Sequence, residues 1–228
     1  MMGKLEGIRA CVFDAYGTLF DVNAAAANAR DALGPAWQPL AEIWRTKQLQ
    51  YTWLHSLMGR HVDFWQVTED ALDFALASLK IADDGLRRRL LDLYFELDAY
   101  PEVRAVLAKL GAAGLDRAIL SNGSPEMLAA AVRSAGLGES LEAVLSVEAV
   151  GVFKPSPRVY QLAVDRFKVA PGEICFVSSN GWDAFAAKAF GFRVLWCNRS
   201  GQPPERMPEA PDGEIKTLAE LPACLGAA

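Results

Sequence analysis

Five short apolar runs constrain the fold of this chain more than any other feature. ACVF at 10–13, AIL at 118–120, VLSV at 144–147, ICFV at 174–177 and RVLWC at 193–197 alternate with amphipathic segments. Each is rich in Val, Ile, Leu, Phe or Cys and apolar on both faces, the pattern of strands buried in a parallel sheet. Ser124-Pro125-Glu126 supplies the N-cap, first-turn proline and first-turn acid of a helix that runs to about Ala135 and stops at Gly136. Ser156-Pro157 repeats that device ahead of VYQLAVDRF, and a third helix is predicted from about Trp182 to Phe190, closed by Gly191. Strands and helices alternating in this way predict right-handed crossovers and an α/β fold, a doubly wound, Rossmann-like parallel sheet.

Residues 21–99 break the alternation. LAEIWRTKQLQYTWLHSLM, FWQVTEDALDFALASL and LRRRLLDLYFELD carry apolar residues at helical spacing, and no convincing strand lies among them. Four of the six tryptophans, Trp37, Trp44, Trp53 and Trp65, fall here. A helical cap subdomain over 21–99, inserted after the first strand into a core of 1–20 and 100–228, is the expected organisation. Arg87-Arg88-Arg89 reads as a solvated helix face, and QPPERMPEAPDG at 202–213 as a proline-rich surface loop.

Composition removes whole classes of function. With 228 residues the chain has room for one core and an insertion. At 52% hydrophobic it is no disordered chain, and no apolar stretch reaches the ~18–20 residues of a membrane helix. A net charge of −5 without a long basic run argues against nucleic acid as a partner. The start, MMGKLEGIRACVFD, meets charge too early for a secretory signal, which points to a cytoplasmic protein. Cys11, Cys175, Cys197 and Cys224 have no CxxC spacing and read as reduced thiols, the first three buried in strand-like runs. His55 and His61 are the only histidines, and GxSxG, GxxxxGK[ST] and GxGxxG are all missing.

What remains is the set of polar residues that follow the strands. Asp14 follows the first, Ser121 and Asn122 the second, Lys154 follows GVF, and Ser178, Asn180 and Asp183 follow ICFV. In an open parallel sheet ligands bind beyond the carboxyl ends of the strands, where strand order reverses. One such residue is usually a turn or cap; four strand ends bearing carboxylates, hydroxyls, amides and an ammonium point to a site.

FDAYGTL at 13–19, SNGS at 121–124, Lys154-Pro155 and SSNGWD at 178–183 together resemble the haloacid dehalogenase superfamily. DAYGTLFD, WRTKQLQYTWLHSLMGR, SNGSPEML and SSNGWD are similar, within it, to the L-2-haloacid dehalogenases. The resemblance spans nearly the whole chain and implies attack by Asp14 on C2 of a short 2-haloacid, giving an aspartyl ester that water hydrolyses. It implies Arg45, Asn122 and the edge of Trp182 as a halide cradle, and Ser121 with backbone N–H groups of the Asp14 loop as the carboxylate site. Lys154 would orient Asp14, and Asp183 would activate or position the water, with Asn180 and Ser178 holding the geometry. Thr18 would hydrogen-bond the Asp14 loop, and Tyr16, Leu49, Phe64, Trp182 and Tyr160 would form the apolar wall or its support. A homodimer and the L-stereospecificity also rest on the resemblance.

Chemistry separates dehalogenase from phosphatase. A phosphatase of this superfamily needs a second acid two residues after the nucleophile, because an alkoxide leaves poorly without a proton. Tyr16 holds that position, and a phenol of pKa ~10 is a poor match. Halide departs without a proton. SSNGWD offers one carboxylate where a magnesium site wants a pair, so no metal and no cofactor are expected. The alternatives are a metal-dependent phosphatase and a phosphonatase-like hydrolase, the latter requiring a cap lysine that Lys47 and Lys80 do not match in context. A catalytically silent binding protein is the third, and Asp14, Lys154 and Asp183 together speak against it.

Overall fold

Parallel pairing buries both faces of a strand, and the central runs of this chain are apolar throughout. In a computed structural model describing residues 4–22, 30 and 33–227, they form β1 (Ala10–Phe13), β2 (Asp116–Ser121), β3 (Ala143–Ser146), β4 (Ile174–Ser178) and β5 (Arg193–Cys197). A three-residue strand, β6 (Gly213–Ile215), adds an edge at the end of the segment read as a surface loop. The sheet order is β3-β2-β1-β4-β5-β6, every neighbouring pair parallel. β1 and β4 are buried at every residue, whereas β3 departs from the expectation: as an edge strand it leaves Val144 42% exposed. The order reverses between β2 and β4 around β1, so the carboxyl end of β1 is the switch point where a doubly wound sheet opens a crevice.

The described helices are α1 (Trp37–Met58), α2 (Phe64–Ser78), α3 (Asp84–Asp92), α4 (Val103–Ala112), α5 (Pro125–Ser134), α6 (Pro157–Phe167), α7 (Gly181–Phe190) and α8 (Leu221–Cys224). Ser124 caps α5 through the Met127 N–H at 3.4 Å, but the Ser156 side chain makes no such bond at α6, which opens on Pro157. Gly191 closes α7 with φ 113°, a conformation glycine adopts without strain. α4 fills the stretch between the helical segment and β2.

α1, α2 and α3 pack on one another around Leu40, Trp44, Leu72, Leu76, Leu86 and Leu90, an apolar cluster separate from the one beneath the sheet. Asp63 and Asp83 cap α2 and α3, each accepting a backbone N–H at 2.8 Å. Arg87 pairs with Asp73 (2.5 Å) and Glu69 (3.6 Å) on α2, which ties two helices together rather than forming a solvated face; Arg88 and Arg89 are exposed as expected. The helical pattern of residues 86–98 stops at Asp92, and the chain then turns Tyr94 and Phe95 inward. Where this segment leaves and rejoins the sheet, the two connections pair: Asp21 N–H bonds to the Asp98 carbonyl and Tyr100 N–H to the Leu19 carbonyl, both at 2.9 Å. Phe20 and Ala99 lie opposite each other between them in an antiparallel bridge.

Candidate active site

The carboxyl ends of β1, β2 and β4 and the turn before α6 converge on Asp14. The backbone N–H of Asp14 bonds to the Val177 carbonyl of β4 at 2.9 Å, fixing the Asp14 loop to the neighbouring strand. Gly17, at φ 81°, lets that loop reverse, so that Thr18 Oγ1 returns to Asp14 Oδ2 at 3.3 Å while accepting the Ser179 N–H at 2.8 Å. Asn180 Nδ2 donates to Asp14 Oδ2 at 2.8 Å, and Ser178 Oγ stands 3.5 Å from the same oxygen. The Asn122 side-chain oxygen Oδ1 accepts the Lys154 backbone N–H at 3.0 Å, which holds the 150s turn against the end of β2. Ser121 Oγ accepts the Gly123 N–H at 3.1 Å.

Lys154 is the electrostatic centre. It is 1% exposed, and its Nζ donates to Asp14 Oδ1 at 3.1 Å and to Asp183 Oδ2 at 2.8 Å. Burial alone would lower the ammonium's pKa; the carboxylates of Asp14 and Asp183 outweigh it and hold it above its usual value. Asp183, on the first turn of α7, is fully buried, and its other oxygen takes the Tyr160 hydroxyl at 2.8 Å. Burial pushes the Asp183 carboxyl up, opposed by Lys154 and reinforced by Asp14. A hard dication wants several oxygen ligands, and here the two carboxylates are bridged by an ammonium, so the residues present do not fit a metal.

A small cavity of about 20 Å³ opens onto this group. Ten of the fourteen expected site residues line it: Asp14, Ser121, Asn122, Lys154 and Asn180 from the sheet side, Arg45, Leu49 and Phe64 from the helices, with Tyr16 and Trp182. Thr18 and Ser178 stand behind Asp14 as its hydrogen-bond partners. Of wall or support, Tyr160 is not a wall of the cavity: its ring packs among Phe176, Phe190 and Phe192, and its hydroxyl reaches Asp183 from behind. Asp183, expected beside the hydrolytic water, does not line the cavity either: Lys154 lies between it and Asp14.

The helical segment reaches the site through Arg45, whose Nη2 donates to Asn180 Oδ1 at 3.0 Å. Asn180 thus joins Asp14 to the helices, donating to the carboxylate and accepting from Arg45. A family model described as haloacid dehalogenase-like hydrolase matches residues 8–191. The chain belongs to that family. (S)-2-haloacid dehalogenase 1 of Pseudomonas sp. (strain CBS-3) is 48% identical to it over 97% of this chain and 98% of its own. (S)-2-haloacid dehalogenase 4A of Burkholderia cepacia is 45% identical over 95% and 94%. Among solved structures, the L-2-haloacid dehalogenase from Xanthobacter autotrophicus with chloropropionic acid covalently bound superposes with a TM-score of 0.88, at 41% identity over 96% and 98% of the two chains. A dehalogenase with an intermediate complex gives 0.93, at 45% identity over 96% and 97%.

Two supports of this haloacid dehalogenase-like site were absent from the sequence reading. Gln48, fully buried on α1, accepts Arg45 Nη1 at 2.8 Å and donates to Thr68 Oγ1 (2.8 Å) and Tyr94 Oη (3.2 Å). An amide three residues after the arginine, on the same helix face, was the available signal. Arg199, beyond β5, donates to the Thr18 carbonyl at 2.9 Å and pairs with Glu102 at 2.7 Å, and its guanidinium lies 3.7 Å from the Tyr100 ring centroid. No local pattern announces it, because its partners lie at residues 18, 100 and 102.

Proposed function

We propose that this chain hydrolyses short-chain L-2-haloalkanoic acids to D-2-hydroxy acids through a covalent aspartyl ester. The observation that carries the reading is an Asp14 carboxylate charge-paired with Lys154 at 3.1 Å, with an aromatic residue instead of an acid two positions on. Asp14 attacks C2 from the side opposite the halide; the C2–halide bond breaks and the halide leaves with its electron pair. Water then attacks the ester carbonyl, releasing the hydroxy acid and restoring Asp14. The covalently bound chloropropionic acid in the Xanthobacter relative supports this route.

Each role belongs to the same reading. Thr18, Asn180 and Lys154 aim the nucleophile; Arg45, Asn122 and Trp182 take the leaving halide, where negative charge develops; Ser121 takes the substrate carboxylate. Leu49 and Phe64 supply the apolar wall. Lys154, Ser178 and Asn180 hold the hydrolytic water, and Asp183 acts on it through Lys154. Residues 21–99 serve as a cap over a core of 1–20 and 100–228, an arrangement supported by the paired connections at 19–21 and 98–100. The reaction runs without metal, as a cytoplasmic homodimer; four free thiols support the compartment, and no described helix is long and apolar enough to cross a membrane.

Chloride release from L-2-chloropropionate, unchanged by EDTA, is the expected result. Hydrolysis of p-nitrophenyl phosphate that requires magnesium, with no chloride released, would replace this reading by the phosphatase one.

A further inference from the structure

Tyr16 is larger in chemistry than the wall it helps to form. Its ring stacks on Phe64 at 6.3 Å and meets the edge of Tyr94 at 5.7 Å, so the aromatic part is fully packed. Its hydroxyl is buried without a hydrogen-bond partner among the described residues, although the residue lines the cavity beside Asp14 and Ser121. Burying an unpartnered hydroxyl costs stability, and phenylalanine would fill the same space without that cost. The oxygen lies against the turn that Ser121 opens: a Cβ placed on Gly123 would stand 3.0 Å from it. Burial, with Tyr94 and Asp14 nearby, holds the phenol far above its usual pKa, so it stays a donor.

We propose that the Tyr16 hydroxyl donates a hydrogen bond to the substrate carboxylate alongside Ser121, which makes Tyr16 a binding residue of the reacting complex. The inference rests on the dehalogenase reading. It assigns a neutral donor to the carboxylate end of the cavity, while Trp182 Nε1, the other buried donor of its lining without a partner among the described residues, serves the halide end. The position that carries an acid in phosphatases thus carries a donor that binds substrate and transfers no proton.

Tyr16→Phe tests it, because the substitution keeps the ring and removes one oxygen. With L-2-chloropropionate the expected KM rises about tenfold, the worth of one hydrogen bond to a charged group, while kcat stays within about twofold. The thermal midpoint of the substrate-free variant should equal or exceed that of the parent. Propionate, which has the carboxylate and no halide, should lose about the same factor as a competitive inhibitor. Unchanged KM and inhibition constant would overturn the proposal; a lower kcat at unchanged KM would overturn it by putting the hydroxyl at the leaving halide. A parent enzyme that releases no chloride would overturn the dehalogenase reading, and this one with it.

Discussion

Lys154 shows how a single residue can set the state of a site. Its ammonium sits between two carboxylates in a place where burial alone would strip its proton, and the carboxylates win. The folded protein therefore binds this proton more tightly than the unfolded chain. The stability it contributes is complete below the unfolded value of about 10.5 and is lost as pH climbs through the raised native value. Thermal midpoints measured from about pH 8 to 12 should fall more steeply above 10.5 in the parent than in Lys154→Met, and parallel slopes would contradict the pairing. Lys154 was legible in the sequence as a lysine after an apolar run. Its second partner was not, because Asp183 reads equally well as a residue facing the substrate. The tertiary approach of the first turn of α7 to Lys154 places it behind the ammonium.

At the scale of elements, two identical sequence signals came out differently. Ser124-Pro125 and Ser156-Pro157 both read as caps, yet only Ser124 accepts a backbone N–H. Ser124→Ala should lower the unfolding free energy by about 0.5–1 kcal/mol, at the low end for a cap because the bond is long. Ser156→Ala should stay within about 0.5 kcal/mol of the parent. Denaturant titration of the two variants side by side decides it; equal losses would mean that the Ser156 hydroxyl caps its helix as Ser124 does, against the geometry. The central strands were legible because their apolar runs are unbroken. β6 was not, since three residues at a sheet edge carry no period, and its pairing with β5 comes from tertiary position. The helix end at Asp92 was hidden for a related reason: the apolar spacing continues to residue 98, but Tyr94 and Phe95 spend it on contacts with the site and the sheet-side core.

At the scale of the whole molecule, described residues of the helical segment meet the sheet side at polar points that include three side-chain contacts. Arg45 donates to Asn180, Ser56 Oγ accepts the Phe153 N–H at 3.1 Å, and His61 Nε2 lies 2.9 Å from Glu148 Oε2. Of these three, the first touches a hydrogen-bond partner of Asp14. Arg45→Ala should therefore cut kcat/KM for L-2-chloropropionate by about a hundredfold, the scale of losing a donor to developing charge, with little change in thermal midpoint. Near-normal turnover in that variant would remove Arg45 from the site. The arginine was legible only through the motif around it, since an arginine on an amphipathic helix is ordinarily a surface charge. The eight Lys and Arg against twelve Asp and Glu over 21–100 gave no hint of it either.

In the proposed reaction Asp14 is alkylated and water attacks its carbonyl. Mass spectrometry of the Asp14 peptide after a single turnover in H₂¹⁸O tests this most directly. One ¹⁸O in the Asp14 carboxylate and none in the hydroxy acid is the expected result. Label in the hydroxyl group of the product, with Asp14 unlabelled, would mean that water attacks C2 directly and would contradict it.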